Sequence, residues 1–134
     1  MTAMRADVPQ IDAETRPFWD AAREHRLLVR SCTSCGRPHY YPRPFCPFCW
    51  NGRVEWVEAS GRATLYTYSV VHANDLPPWP ERVPYIAAVV DLAEGPRMMT
   101  ELVGCQPEQA VIGMDLRVAF RDDGEFTAPV FRPV

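Results

Sequence analysis

The sequence contains no lysine. All fourteen of its basic residues are arginine, and they are spread from Arg5 to Arg132 without a run. At a net charge of −3, that distribution offers no basic stripe to track a phosphate backbone, which argues against a nucleic-acid binder. No apolar stretch is long enough to span a bilayer. Met1 to Pro17 holds Arg5, Asp7, Asp12, Glu14 and Arg16 and lacks the apolar run of a signal peptide, so a cytoplasmic setting is the expectation. There is no glycine-rich phosphate loop. Asp91, Glu94 and Glu101 fall on or beside expected strands with no partner base, so no general acid–base pair can be assembled from them. The five cysteines do not make an even disulfide framework, and in the cytoplasm paired cysteines are metal ligands more often than disulfides.

The strongest positive signal is a quartet, Cys32-x-x-Cys35 and Cys46-x-x-Cys49, with ten residues between the pairs. Two thiolate pairs on two tight turns close a tetrahedron around one soft divalent ion. Structural zinc is the expectation. Rubredoxin-type iron uses the same ligand set, so the residues by themselves leave iron open. A redox dithiol would need a helix start in a thioredoxin-like unit, which this segment does not supply. A four-thiolate shell leaves the metal no open position, so the quartet predicts architecture rather than chemistry.

Around the quartet the pattern predicts a mainly β chain in three parts: an N-terminal arm and helix over 1–26, a ribbon over 27–53, and a barrel over 54–134. Thr15 is a candidate N-cap with Pro17 in the first turn, and Phe18, Ala21 and Ala22 share one helical face with Trp19 beside them. Pro38, Pro42, Pro44 and Pro47 bar a helix from the ribbon, and Gly36 suits the positive φ that follows a metal knuckle. Val54–Ala59 reads as extended. Strands are then expected over 63–72, 85–92, 97–103, 115–121 and 125–132, with a connector at 106–112 that begins a helical turn at Pro107. Along the first, Tyr66, Tyr68 and Val70 are expected on one face. Five strands with a long connector between the third and fourth suit a closed Greek-key barrel of the OB type.

Other residues receive plainer readings. Cys105 has no candidate base among His25, His39 and His72 and reads as a buried, inert thiol. His39 reads as an exposed ribbon residue, and Asp122, Asp123 and Glu125 as a solvated hairpin. Trp56 and Phe48 are expected to pack between ribbon and barrel. That leaves Tyr40, Tyr41, Phe45 and Trp79, with Arg43, for a partner or a pantetheine arm, since aromatic residues and Arg concentrate at interface centres.

Several stretches together resemble one family: PFW (17–19), CTSCG (32–36), YPR (41–43), CPFC (46–49), SGRATLYTYSV (60–70), PYIAAVVDLAEG (84–95), IGMDLRVAF (112–120) and an aromatic-Pro close at 131–133. In this order they resemble the rubredoxin-like zinc ribbon plus acyl-CoA-associated OB-fold family, long catalogued as a domain of unknown function. Where many members have Gly-x-Gly, this chain has Gly61-Arg62-Ala63. The resemblance implies a non-catalytic scaffold that binds a thiolase-fold acyl-CoA enzyme: a thiolase, a sterol-carrier-type thiolase or aldolase, or a hydroxymethylglutaryl-CoA synthase. It also implies that some members join a MaoC-type hydratase, and that the acyl-CoA is held or channelled through the partner in lipid or steroid metabolism. The competing expectation is a single-stranded nucleic-acid binder in which Tyr66 and Tyr68 stack on bases.

Overall fold

The fold is that of a computed structural model describing residues 5–134; Met1 to Met4 of the expected arm lie outside the described residues. Helix α1 (Arg16–Arg23) buries Phe18, Ala21 and Ala22. Thr15 takes the N-cap position but does not cap with its side chain. Its hydroxyl turns back to Asp12 Oδ1 (3.2 Å), which also accepts the amides of Glu14 and Thr15 (both 3.0 Å). The upstream carboxylate thus organises the helix entry.

Strands β1 (Leu28–Cys32), β2 (Pro38–His39) and β3 (Val54–Glu58) form one antiparallel sheet in the order β2-β1-β3. Residues 54–58, grouped with the barrel in the sequence-based division, are hydrogen-bonded to the ribbon sheet. Val54–Glu58 pairs along its whole length with β1, Leu28 opposite Glu58 through Cys32 opposite Val54. The ribbon needs a third strand to cover β1, and the barrel closes without it.

The barrel consists of β4 (Arg62–Val71), β5 (Tyr85–Leu92), β6 (Arg97–Leu102), β7 (Asp115–Asp122) and β8 (Thr127–Pro133), closed in the order β4-β5-β6-β8-β7. β5 alternates strictly, with Ile86, Ala88, Val90 and Leu92 inside. The connector from β6 to β7 carries the 3₁₀ turn expected at Pro107. Tight approach explains Gly61, at φ +85: a Cβ there would lie 2.6 Å from Val118 Cγ1. Two positions on, the Ala63 methyl is buried in the core.

A bulge between Leu65 and Thr67 decides the fate of the two tyrosines on β4. It adds one residue and inverts the pleat, so Tyr66 points to solvent while Tyr68 packs against the core. The two rings do not share a face, and the Arg97 guanidinium already lies 3.6 Å over Tyr66. The stacking pair of the nucleic-acid reading does not form.

Phe18 from the helix and Leu27 and Val29 from the ribbon join Leu65, Ile86, Val90, Met98, Leu116 and Phe131 of the barrel in one core. Each such large side chain contributes about 1.5–3 kcal/mol. That common core holds the ribbon against the barrel and fixes where the cysteine quartet sits.

Candidate metal centre and binding surfaces

Each cysteine pair sits on a turn built the same way. In the first, Gly36 N–H donates to Cys32 O and Cys32 N–H to Arg37 O; in the second, Trp50 N–H donates to Cys46 O and Cys46 N–H to Asn51 O. The residue after each second cysteine takes a positive φ, +76 at Gly36 and +67 at Trp50. The four Sγ atoms lie within 4.8 Å of one another, and the Cys32–Cys49 and Cys35–Cys46 pairs are 3.6 Å apart. Metal–sulfur bonds of 2.3 Å in a tetrahedron put sulfurs about 3.8 Å apart, so the quartet fits the ion expected from its spacing.

Backbone amides favour the thiolate at two of the four cysteines, while at Cys49 the Asn51 amide is outweighed by burial and the neighbouring cysteines, which push the thiol up to about 11. The Cys35 amide (3.4 Å) and the Ser34 amide (3.3 Å) donate to Cys32 Sγ and, against burial, bring that thiol down to about 7. At Cys46, burial is outweighed by the amides of Cys49 and Phe48, and the thiol is again lowered. Cys32 and Cys46 are buried and Cys35 and Cys49 exposed. All four ligand positions are filled by sulfur, and the centre has no place for substrate.

Three of the plainer readings need correction. His39 is buried, not exposed, and neither ring nitrogen has a partner. Burial, with Arg30 and Arg43 nearby, lowers its pKa and keeps it neutral. It is drawn inside because it lies on β2 opposite Arg30 of β1. Asp123 is not solvated: its side chain is 4% exposed and accepts from Arg82 (3.0 Å) and Arg121 (3.2 Å). Phe48 is not packed between ribbon and barrel; it is exposed, with Arg37 stacked 3.6 Å over its ring. Trp56 does pack against the core, under Arg30. Cys105 is half-buried, and burial pushes its thiol up.

The five residues expected to meet a partner or CoA divide into two places. Tyr40 and Trp79 line a cleft of about 350 Å³ on the outer face of β5 and β6, whose floor includes Ala87 and Met99 and whose roof is Trp19 of the helix. Burial raises the Tyr40 phenol to about 12, so it stays protonated. The cleft occupies the strand 2–strand 3 face of the five-stranded barrel, where OB folds bind ligands. Its charged residues are internally matched. Glu101 accepts from Arg121 (2.9 Å), and Asp7 from Arg5 (2.7 Å) and Arg82 (3.5 Å). Tyr41 and Arg43 are exposed on the ribbon, and Phe45 stacks on Trp50 at 5.3 Å. Trp50, 74% exposed, was not among the expected contacts. Its signal lay in comparing the two knuckles, since tryptophan stands where the first has glycine.

A four-thiolate ribbon sharing its core with a five-stranded barrel defines a zinc ribbon–OB-fold protein. Residues 19–55 match the model described as the ChsH2 rubredoxin-like zinc ribbon domain, and residues 56–121 the ChsH2 C-terminal OB-fold domain. The chain belongs to this ChsH2 (DUF35) family, and Cys32, Cys35, Cys46 and Cys49 of its zinc ribbon domain stand close enough together to bind one metal ion. It is 34% identical to a DUF35 domain-containing scaffold protein of Methanocaldococcus jannaschii, over 87% of this chain and 88% of that one. It is 39% identical to a probable enoyl-CoA hydratase alpha subunit of Thermomonospora curvata, over 93% of this chain but only 39% of that subunit's length. Among solved structures it resembles a chain of the Ltp2-ChsH2(DUF35) aldolase, with a TM-score of 0.83 and 36% identity over 94% of this chain and 98% of that one. No helix among the described residues is long and apolar enough to cross a membrane.

Proposed function

We propose that the chain is a non-catalytic accessory subunit of an acyl-CoA enzyme with a thiolase fold: a thiolase, a sterol-carrier-type thiolase or aldolase, or a hydroxymethylglutaryl-CoA synthase. The observation that carries this reading is the structural likeness, over nearly the full length of both chains, to a chain from an assembly named an aldolase. The site chemistry supports it. The zinc shell is complete, and the half-buried Cys105 thiol, raised by burial, lacks the activation a nucleophile needs. The likeness to a hydratase alpha subunit makes a MaoC-type hydratase a candidate additional partner.

In this reading the ribbon docks on the enzyme while the outer cleft of the barrel shelters the acyl end of the thioester. A volume of about 350 Å³ is at the small end of small-molecule sites, roughly 300–1,000 Å³, and suits an acyl group better than a whole CoA. The matched charges around it favour a neutral, apolar occupant.

The test is co-expression with a thiolase-fold acyl-CoA enzyme from the same genome. The expected result is a complex that survives size-exclusion chromatography and turns over acyl-CoA, while the isolated chain does not. Replacing Tyr41 and Arg43 with Ala should weaken capture of the enzyme. Turnover by the purified chain alone, or failure to bind the thiolase-fold enzyme, would refute the reading.

A further inference from the structure

Between Glu24 and Glu55 the chain has no acidic residue but carries Arg26, Arg30, Arg37, Arg43 and Arg53, although the whole is net negative. Arg26 is matched by Glu24 and Glu58; the other four have no ion pair among the described residues. Over the ribbon sheet and its knuckles, 28–58, Arg30, Arg37, Arg43 and Arg53 stand against Glu55 and Glu58, a small positive excess on an acidic protein.

The two knuckles differ at one position. Gly36 takes the left-handed conformation without penalty, but Trp50 takes it at φ +67, where an L side chain is disfavoured. Burial does not compensate, because the residue is 74% exposed. Phe45 supports one face of the indole at 5.3 Å, and Arg37 lies over the neighbouring exposed Phe48. A strained backbone therefore holds a large ring in solvent, braced by a second ring, on a knuckle whose neighbouring Phe48 carries the unpaired Arg37. The knuckle needs the backbone conformation, as Gly36 shows in the first pair, but nothing in the knuckle hydrogen bonds requires a tryptophan side chain there.

We infer that the outer face of the second knuckle is a protein-docking surface with Trp50 as its central anchor, and that it fits an apolar pocket rimmed by carboxylates on the partner. Desolvated Trp and Arg dominate interface energetics, and rim charges of opposite sign steer encounter. A protein face is favoured over a single nucleic-acid strand. Phe48 and Trp50 each have one face covered, leaving no run of stacking platforms, and the barrel groove beyond is lined by Asp7 and Glu101. The inference rests on the accessory-subunit reading and names the part of the chain that docks.

The experiment is calorimetric titration of the purified chain into its co-expressed thiolase-fold enzyme, with Trp50→Gly and Trp50→Asn as variants, since Gly and Asn both accept a positive φ. Both should keep one zinc per chain and a Tm no lower than that of the natural chain, yet bind at least about thirtyfold more weakly. Arg37→Glu with Arg53→Glu should slow association and flatten its salt dependence. A complex that forms with the natural chain and equally, within twofold, with both Trp50 variants overturns the inference and leaves the accessory-subunit reading standing. No complex with the natural chain removes both. A lowered Tm in both variants with unchanged affinity makes Trp50 structural. Salt-sensitive binding of a twenty-nucleotide single strand, lost in both variants, reassigns the surface to nucleic acid.

Discussion

Removing the metal should unfold the ribbon and leave the barrel standing. Between 33 and 53 the only buried residues are His39, Pro42 and Cys46, which is too little apolar burial to hold two turns and the β2 edge. The metal makes up the difference: structural zinc contributes about 10–16 kcal/mol to the folding of such peptides at neutral pH. The barrel has its own support in Leu65, Ile86, Val90, Leu92, Met98, Leu102, Leu116 and Phe131, all buried. Hydrogen exchange read by mass spectrometry, before and after chelation to a verified zinc-free state, separates the two. Amides over 33–53 should lose at least about a thousandfold of protection, equivalent to about 4 kcal/mol of opening free energy. Amides in β5 and β6 should change less than tenfold. Strand β1 is the informative boundary. Val29 packs in the common core while Cys32 belongs to the cysteine quartet, so protection should fall along the strand from Leu28 to Cys32. Loss of protection throughout the barrel with the ribbon's midpoint would refute this division. So would a ribbon that stays protected once zinc is gone.

Two further outcomes follow from the packing and the ion pairs. Gly61→Ala places a methyl 2.6 Å from Val118 Cγ1 at φ +85, whereas Gly124→Ala at φ +87 meets nothing within 4 Å. Thermal melts should show about 2–4 kcal/mol lost in the first and about 1 kcal/mol in the second; equal losses would mean that Val118 moves aside freely. At Asp7, burial pushes the carboxyl pKa up, but the hydrogen bond and charge of Arg5 outweigh it and the net shift is downward. Its contribution is therefore full above the ordinary carboxylate value and is lost as pH falls through the lower folded value. Asp7→Asn should cost about 1 kcal/mol at pH 7, discounted for its partly exposed arginine partners, and denaturant melts should show the gap closing in acid. A gap that widens in acid would contradict the assignment.

Much of the architecture was legible because it rests on local chemistry. The cysteine spacing, the alternation of β5, Gly36 after its knuckle, Pro107 starting a turn and Gly124 closing a hairpin each act within a few residues. Local pattern and structure part where distant segments meet. A period-two pattern puts the two tyrosines of β4 on one face because it cannot show a bulge, which depends on how β4 pairs with β5. β2 is too short to show apolar alternation, and only its pairing with β1 brings His39 in. Asp123 looked like a turn carboxylate until the 73–84 loop and β7 brought Arg82 and Arg121 to it.

The quartet at 32, 35, 46 and 49 needed only sequence, because tetrahedral thiolate coordination constrains spacing more tightly than almost any other site. The division of aromatic residues between cleft and ribbon face was decided by tertiary structure alone. Whether a ring is buried depends on which remote element covers it. Phe18 of the helix packs edge-on against Tyr40, and Tyr85 of β5 lies against Trp79, whereas among the described residues Trp50 has only the Phe45 ring on one face and stays 74% exposed.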